Sequence, residues 1–90
     1  DAGSKAIAAE AGDPVAVILG HPRWEATQPN EEHLPIRVQG ELPPRGTVLS
    51  LVPRHVCPTV NLAERAVLMD GAHLIGVVDV AARAHEVLLD

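Results

Sequence analysis

Ninety residues, of which 47% are apolar and 21% charged, make one domain large enough to bury a core. A net charge of −5 and a pI near 5.4 argue against a phosphate backbone or an anionic membrane surface as partner. No apolar run reaches the roughly 20 residues that span a bilayer.

One Trp and neither Phe nor Tyr leave Val, Leu, Ile and Ala to build that core, residues that pack well on pleated sheets. The start at Asp1 shows neither a basic n-region nor an apolar h-region, so no signal peptide is expected. A single cysteine cannot close an internal disulfide, which fits a reducing compartment. A soluble cytoplasmic protein is the expectation.

Taken in chain order, Ser4 to Ala11 has the local marks of a helix: a Ser N-cap, an Ala-rich middle and Gly12 as a C′ residue. Gly12-Asp13-Pro14 signals a turn, and Val15 to Leu19 is a short apolar run suited to a buried strand. From Gly20 to Pro35 the chain is polar, with prolines at 22, 29 and 35, and reads as a long loop of the kind that is often functional. Ile36 to Gln39 predicts a short strand. Leu42 to Gly46 predicts a turn, and Thr47 to Val52 another strand. Asn61 to Arg65 suggests one helical or irregular turn. Ala66 to Met69, then Asp70-Gly71, then His73 to Val80 predicts a hairpin whose Asp-Gly pair suits a type I′ turn. Ala81 to Leu89 is compatible with a helix or a last strand. Short strands separated by Gly and Pro turns predict an all-β fold, a small sandwich or barrel of about six short strands with little helix.

The chemistry concentrates in Val52-Pro53-Arg54-His55-Val56-Cys57-Pro58-Thr59-Val60-Asn61-Leu62. On an extended strand, alternate side chains share a face, so His55 and Cys57 would project together, with Arg54 and Val56 opposite and Pro58 ending the strand. An imidazole and a thiolate converging on one point are typical ligands for zinc and some other divalent metals. A lone Cys is, against that, usually a small buried hydrophobe. Two ligands are too few for a structural zinc, so a metal here needs a third ligand or open positions, as a Lewis-acid site requires. Glu31, Glu32 and His33 form a second cluster. A solvated acidic loop is one reading of it, and proton transfer or hydrogen bonding by His33 is the other. Thr59 and Asn61 could support the ligands or simply satisfy turn backbone. His21, His73 and His85 show no partner in the sequence and read as surface residues.

The stretch resembles the carboxy-terminal domain of the D-serine dehydratase / D-threonine aldolase family, pyridoxal-phosphate enzymes of the alanine-racemase type. His55-Val56-Cys57-Pro58-Thr59-Val60-Asn61-Leu62 carries most of the likeness. Asp1-Ala2-Gly3-Ser4-Lys5-Ala6 resembles the exit from the family's large barrel, Glu31-Glu32-His33 its Glu-Glu-His motif, and Val80-Ala81-Ala82-Arg83 its closing motif. Leu34 stands where the family usually has Gly.

The resemblance implies an extended rather than helical course after Ser4 and an ion pair for Arg83. It implies Zn or Mn on His55 and Cys57 and a catalytic place for His33. It also implies a D-amino-acid substrate whose β-hydroxyl meets the metal while pyridoxal phosphate serves as electron sink. Cys57 tilts that comparison toward the dehydratase branch over the aldolase branch. The family's Schiff-base lysine and phosphate groups belong to an upstream (β/α)8 barrel, which these 90 residues lack, and Lys5 is not expected to replace that lysine. One carboxy-terminal β-domain spanning 1–90, inactive alone and completing a site with such a barrel, is therefore the expectation. A non-catalytic β interaction module, or a homodimer pooling two His/Cys pairs, are its rivals.

Overall fold

The structure, a computed structural model, describes residues 1–83. The reading of 81–89 as helix or strand therefore falls mostly outside the described residues, as does His85. Six strands and one helix follow in order: β1 (Ala16–Ile18), β2 (Glu25–Ala26), β3 (Ile36–Arg37), β4 (Leu51–Pro53), α1 (Val56–Val60), β5 (Arg65–Asp70) and β6 (His73–Asp79). The fold is all-β, as the sequence predicts. Its strands pair antiparallel in three two-stranded ladders, β1–β4, β2–β3 and β5–β6.

β1 is the middle of the packed half. Ala16 and Ile18 turn inward while Val17 between them is exposed, the two-residue alternation of a half-buried strand. One edge pairs with β4 in the register Ala16↔Pro53, Val17↔Val52, Ile18↔Leu51. Backbone bonds from Arg54 N–H to Val15 O (2.8 Å) and Leu19 N–H to Ser50 O (2.9 Å) extend that ladder at both ends. On the other side Val15 N–H donates to Ala26 O at 2.9 Å, tying β2 to the same centre. The core is Ile7, Val15, Ala16, Ile18 and Ala26, flanked by half-buried Trp24, Leu34, Ile36, Leu49 and Leu51. It is aliphatic, as a chain almost without aromatics requires.

Several expectations are corrected. The helix that local propensity suggests over 4–11 does not form, and the extended course implied by the resemblance is interrupted by a turn at Ser4–Ala6 before the chain runs on irregularly. Ala6 N–H and Ile7 N–H close a single local turn onto Gly3 O, while Ser4 N–H donates to Asn30 O at 2.8 Å and Lys5 N–H to Glu31 O at 3.4 Å. Tertiary pairing overrides local propensity here. The loop over 20–35 is interrupted by the two-residue β2, and the strand expected over 47–52 is confined to Leu51–Pro53. A turn at Pro44–Thr47 occupies the beginning of that stretch, with Thr47 N–H and Oγ1 both donating to Pro44 O.

The hairpin is present with Asp70 opposite His73. Its two-residue loop is Gly71-Ala72, and positive φ (+58°) occurs at Gly71 alone. That pattern fits a type II′ turn; type I′ would need positive φ at both loop positions. A bulge between Leu68 and Met69 shifts the register and leaves Ile75 as the extra residue.

Candidate metal corner

Strand β4 ends at Pro53, and Val56–Val60 is helical rather than extended. The geometry expected for His55 and Cys57, two side chains on one face of a strand, is thereby overturned. Pro58 supplies the reason. Its φ is locked near −65°, a helical value, and within the first turn its missing N–H leaves no intrahelical bond unmade. His55 keeps extended angles (φ −124°, ψ 108°) at the N-cap, and its side chain makes no capping bond.

Although the backbone differs, both residues border the same open space. His55 and Cys57 both line an open, largely apolar cavity of about 690 Å³, together with Glu10, Val56, Pro58 and Ala82. Cys57 is exposed and free in this chain. Among the described residues no group of three or more His, Cys, Asp or Glu side chains is gathered tightly enough to enclose a metal. The donor set is therefore an imidazole nitrogen and a sulfur at an open edge. It suits a borderline-soft divalent ion that keeps positions for water or substrate, and it does not suit a closed structural zinc.

The His55 ring is held. Its Nδ1 lies 2.7 Å from Glu10 Oε1, a contact across 45 residues of sequence. The His55 carbonyl accepts from Thr59 Oγ1 at 2.8 Å, and the same Oγ1 accepts from Ala8 N–H at 3.1 Å. Thr59 thus staples the segment before Glu10 onto α1. The sequence suggested a supporting role for Thr59 but gave no sign of Glu10, whose relation to His55 exists only in the folded chain. Asn61 is the C-cap of α1, its N–H bonded to Thr59 O, a backbone role.

His33 lies elsewhere. It is exposed and is not among the described residues lining the cavity of His55 and Cys57. Asn30 organises its loop, with Oδ1 accepting from His33 N–H (2.8 Å) and Glu32 N–H (3.3 Å) while Asn30 N–H donates to His33 O. Glu32 forms an ion pair with Lys5. The Glu-Glu-His loop and the amino-terminal motif are thereby packed together. Gly3 sits so close to the loop backbone that a Cβ there would fall 2.2 Å from Glu31 O.

Two other readings are revised or extended. His21, expected to be without a partner, stacks on Trp24 with ring centroids 3.7 Å apart. Arg83 pairs with Glu64 at 3.6 Å.

Fold and site together define a small all-β domain with an imidazole and a thiol at the rim of an open cavity. Residues 1–69 match the family model described as "Putative serine dehydratase domain", and the chain belongs to that family. Over 85 residues it is 39% identical to the D-threonine aldolase of Arthrobacter sp., a match that takes in 92% of this chain and 22% of that protein. The chain thus spans about a fifth of the length of the curated relative it matches. No helix among the described residues is long and apolar enough to cross a membrane.

Proposed function

We propose that this chain is the metal-binding carboxy-terminal β-domain of a pyridoxal-phosphate-dependent D-amino-acid lyase, completing an active site whose cofactor is held by a (β/α)8 barrel domain. The observation that carries this reading is the convergence of His55 and an exposed Cys57 on one open cavity. His55 and Cys57 would hold a zinc or manganese ion. Bound there, the ion supplies Lewis acidity toward a substrate β-hydroxyl. The chain's own residues would fix the imidazole, present the sulfur, and line one side of the cavity with Val56, Pro58 and Ala82. The pyridoxal phosphate belongs to the barrel, so the domain is inactive alone.

Water elimination from a D-serine-like substrate is the reading that Cys57 favours through the family resemblance. Retro-aldol cleavage of a D-threonine-like substrate is the second, favoured by the similarity to the Arthrobacter enzyme. His33 remains a candidate for proton transfer only if the barrel brings substrate to its loop.

The test is metal content after dialysis against zinc or manganese. The chain should retain metal that a His55→Ala, Cys57→Ser double variant does not, and equal retention by the two would end the assignment.

A further inference from the structure

We propose that Glu10 is a positioning residue for His55, fixing the imidazole as the Nδ1–H tautomer and leaving Nε2 as the nitrogen with a free lone pair for a metal. This rests on the metal-binding reading of His55 and Cys57 and adds to it a residue outside the motif.

A carboxylate only accepts hydrogen bonds, so at 2.7 Å from Glu10 Oε1 the Nδ1 of His55 carries the hydrogen. In a neutral imidazole the other nitrogen is then the acceptor, the form in which histidine binds metals. Histidine ligands are characteristically oriented in this way by a carboxylate or carbonyl on the second ring nitrogen.

The contact is built into the fold. Two residues before Glu10, Ala8 N–H is bonded to Thr59 Oγ1, which is itself bonded to the His55 carbonyl. Segment 8–10 therefore grips both ends of His55, its carbonyl through Thr59 and its ring through Glu10. Glu10 and His55 line the same cavity as Cys57. Both partners of the pair are about half exposed, at 54% and 48%, and a surface ion pair contributes little to stability. The contact's main consequence is on the state of the ring.

Two readouts test this on the 90-residue chain. The first is the His55 tautomer from two-bond nitrogen–proton couplings at mildly alkaline pH, assigned with a His55→Gln variant. The second is zinc affinity by competition with a chromogenic chelator. In the wild type His55 should be the Nδ1–H form. Glu10→Ala should release it to the Nε2–H form and weaken zinc binding by roughly 10- to 100-fold. Glu10→Gln, whose amide oxygen still accepts from Nδ1, should keep the tautomer and most of the affinity.

A wild-type Nε2–H ring, or a tautomer unchanged in Glu10→Ala, would overturn the proposal. So would zinc affinity unchanged in Glu10→Ala while Cys57→Ser loses it. If even the wild type takes up no zinc, the metal reading falls, and the tautomer alone decides whether Glu10 positions the ring.

Discussion

At the scale of single residues, two positions carry the argument for how the motifs are held. Gly3 is needed because the Glu31 backbone occupies the space a side chain would take, with carbonyl oxygen, carbonyl carbon and the next nitrogen all within 2.4 Å of an added Cβ. Backbone on both sides cannot yield as a flexible side chain would. Gly3→Ala should therefore destabilise the chain by about 1–3 kcal/mol, as overpacking does, read as a lower denaturation midpoint at unchanged slope. Ile18 is the second position, 1% exposed in a core of five buried residues. Ile18→Ala should cost about 2–5 kcal/mol, enough to unfold a domain with so small a core at room temperature, as far-ultraviolet circular dichroism would show. Both effects were half legible in advance. The apolar run at 15–19 announced a buried strand, but nothing in Asp1 to Ala6 announced that Gly3 meets residue 31.

At the scale of elements, what the sequence disclosed depended on how local the controlling interaction was. The β5–β6 hairpin is set by neighbours in sequence and was found with nearly the right ends. Even its turn type, though, depended on one φ angle beyond the reach of composition. Gly71→Ala should cost about 1 kcal/mol, because φ of +58° is adverse for any residue with a Cβ. At the β4–α1 junction alternation predicts a strand through His55 and Cys57 that ends at Pro58, whereas the chain is already helical from Val56, where the fixed φ of Pro58 is as comfortable as at a strand end. His55 and Cys57 nevertheless border one cavity, although not through the shared strand face that alternation predicts. The long-range partners were illegible: Glu10 with His55, and Lys5 with Glu32, join segments 45 and 27 residues apart. Hydrogen exchange separates the elements. Amides of β1 and β4, centred on the core, should be protected to near the global stability, whereas β5 and β6, a lone ladder, should exchange orders of magnitude faster. Equal protection across both would contradict this division.

At the scale of the whole molecule, the packing is uneven. The radius of gyration is 15.3 Å and the extents are 59 × 32 × 20 Å, against about 12 Å for a compact domain of this length. Within the hairpin β5 and β6 pack chiefly on each other. Val67, Met69, Leu74 and Val77 are between 52% and 64% exposed, and the register places them on one face of the ladder. An apolar stripe of this kind in a small chain is a surface that avoids water. The chain should therefore enhance the fluorescence of a hydrophobic dye while folded, and a Val67→Lys, Val77→Lys double variant should abolish most of that signal without lowering the unfolding midpoint. The all-β class was legible because turn signals and short aliphatic runs repeat along the chain. Its separation into three ladders was not, because strand pairing is decided by contacts between distant segments.

Cobalt substitution tests the metal corner most directly. Loaded with cobalt(II), the chain should show a near-ultraviolet thiolate-to-metal charge-transfer band that Cys57→Ser removes and His55→Ala weakens. A spectrum indistinguishable from that of the aqueous ion would contradict the account.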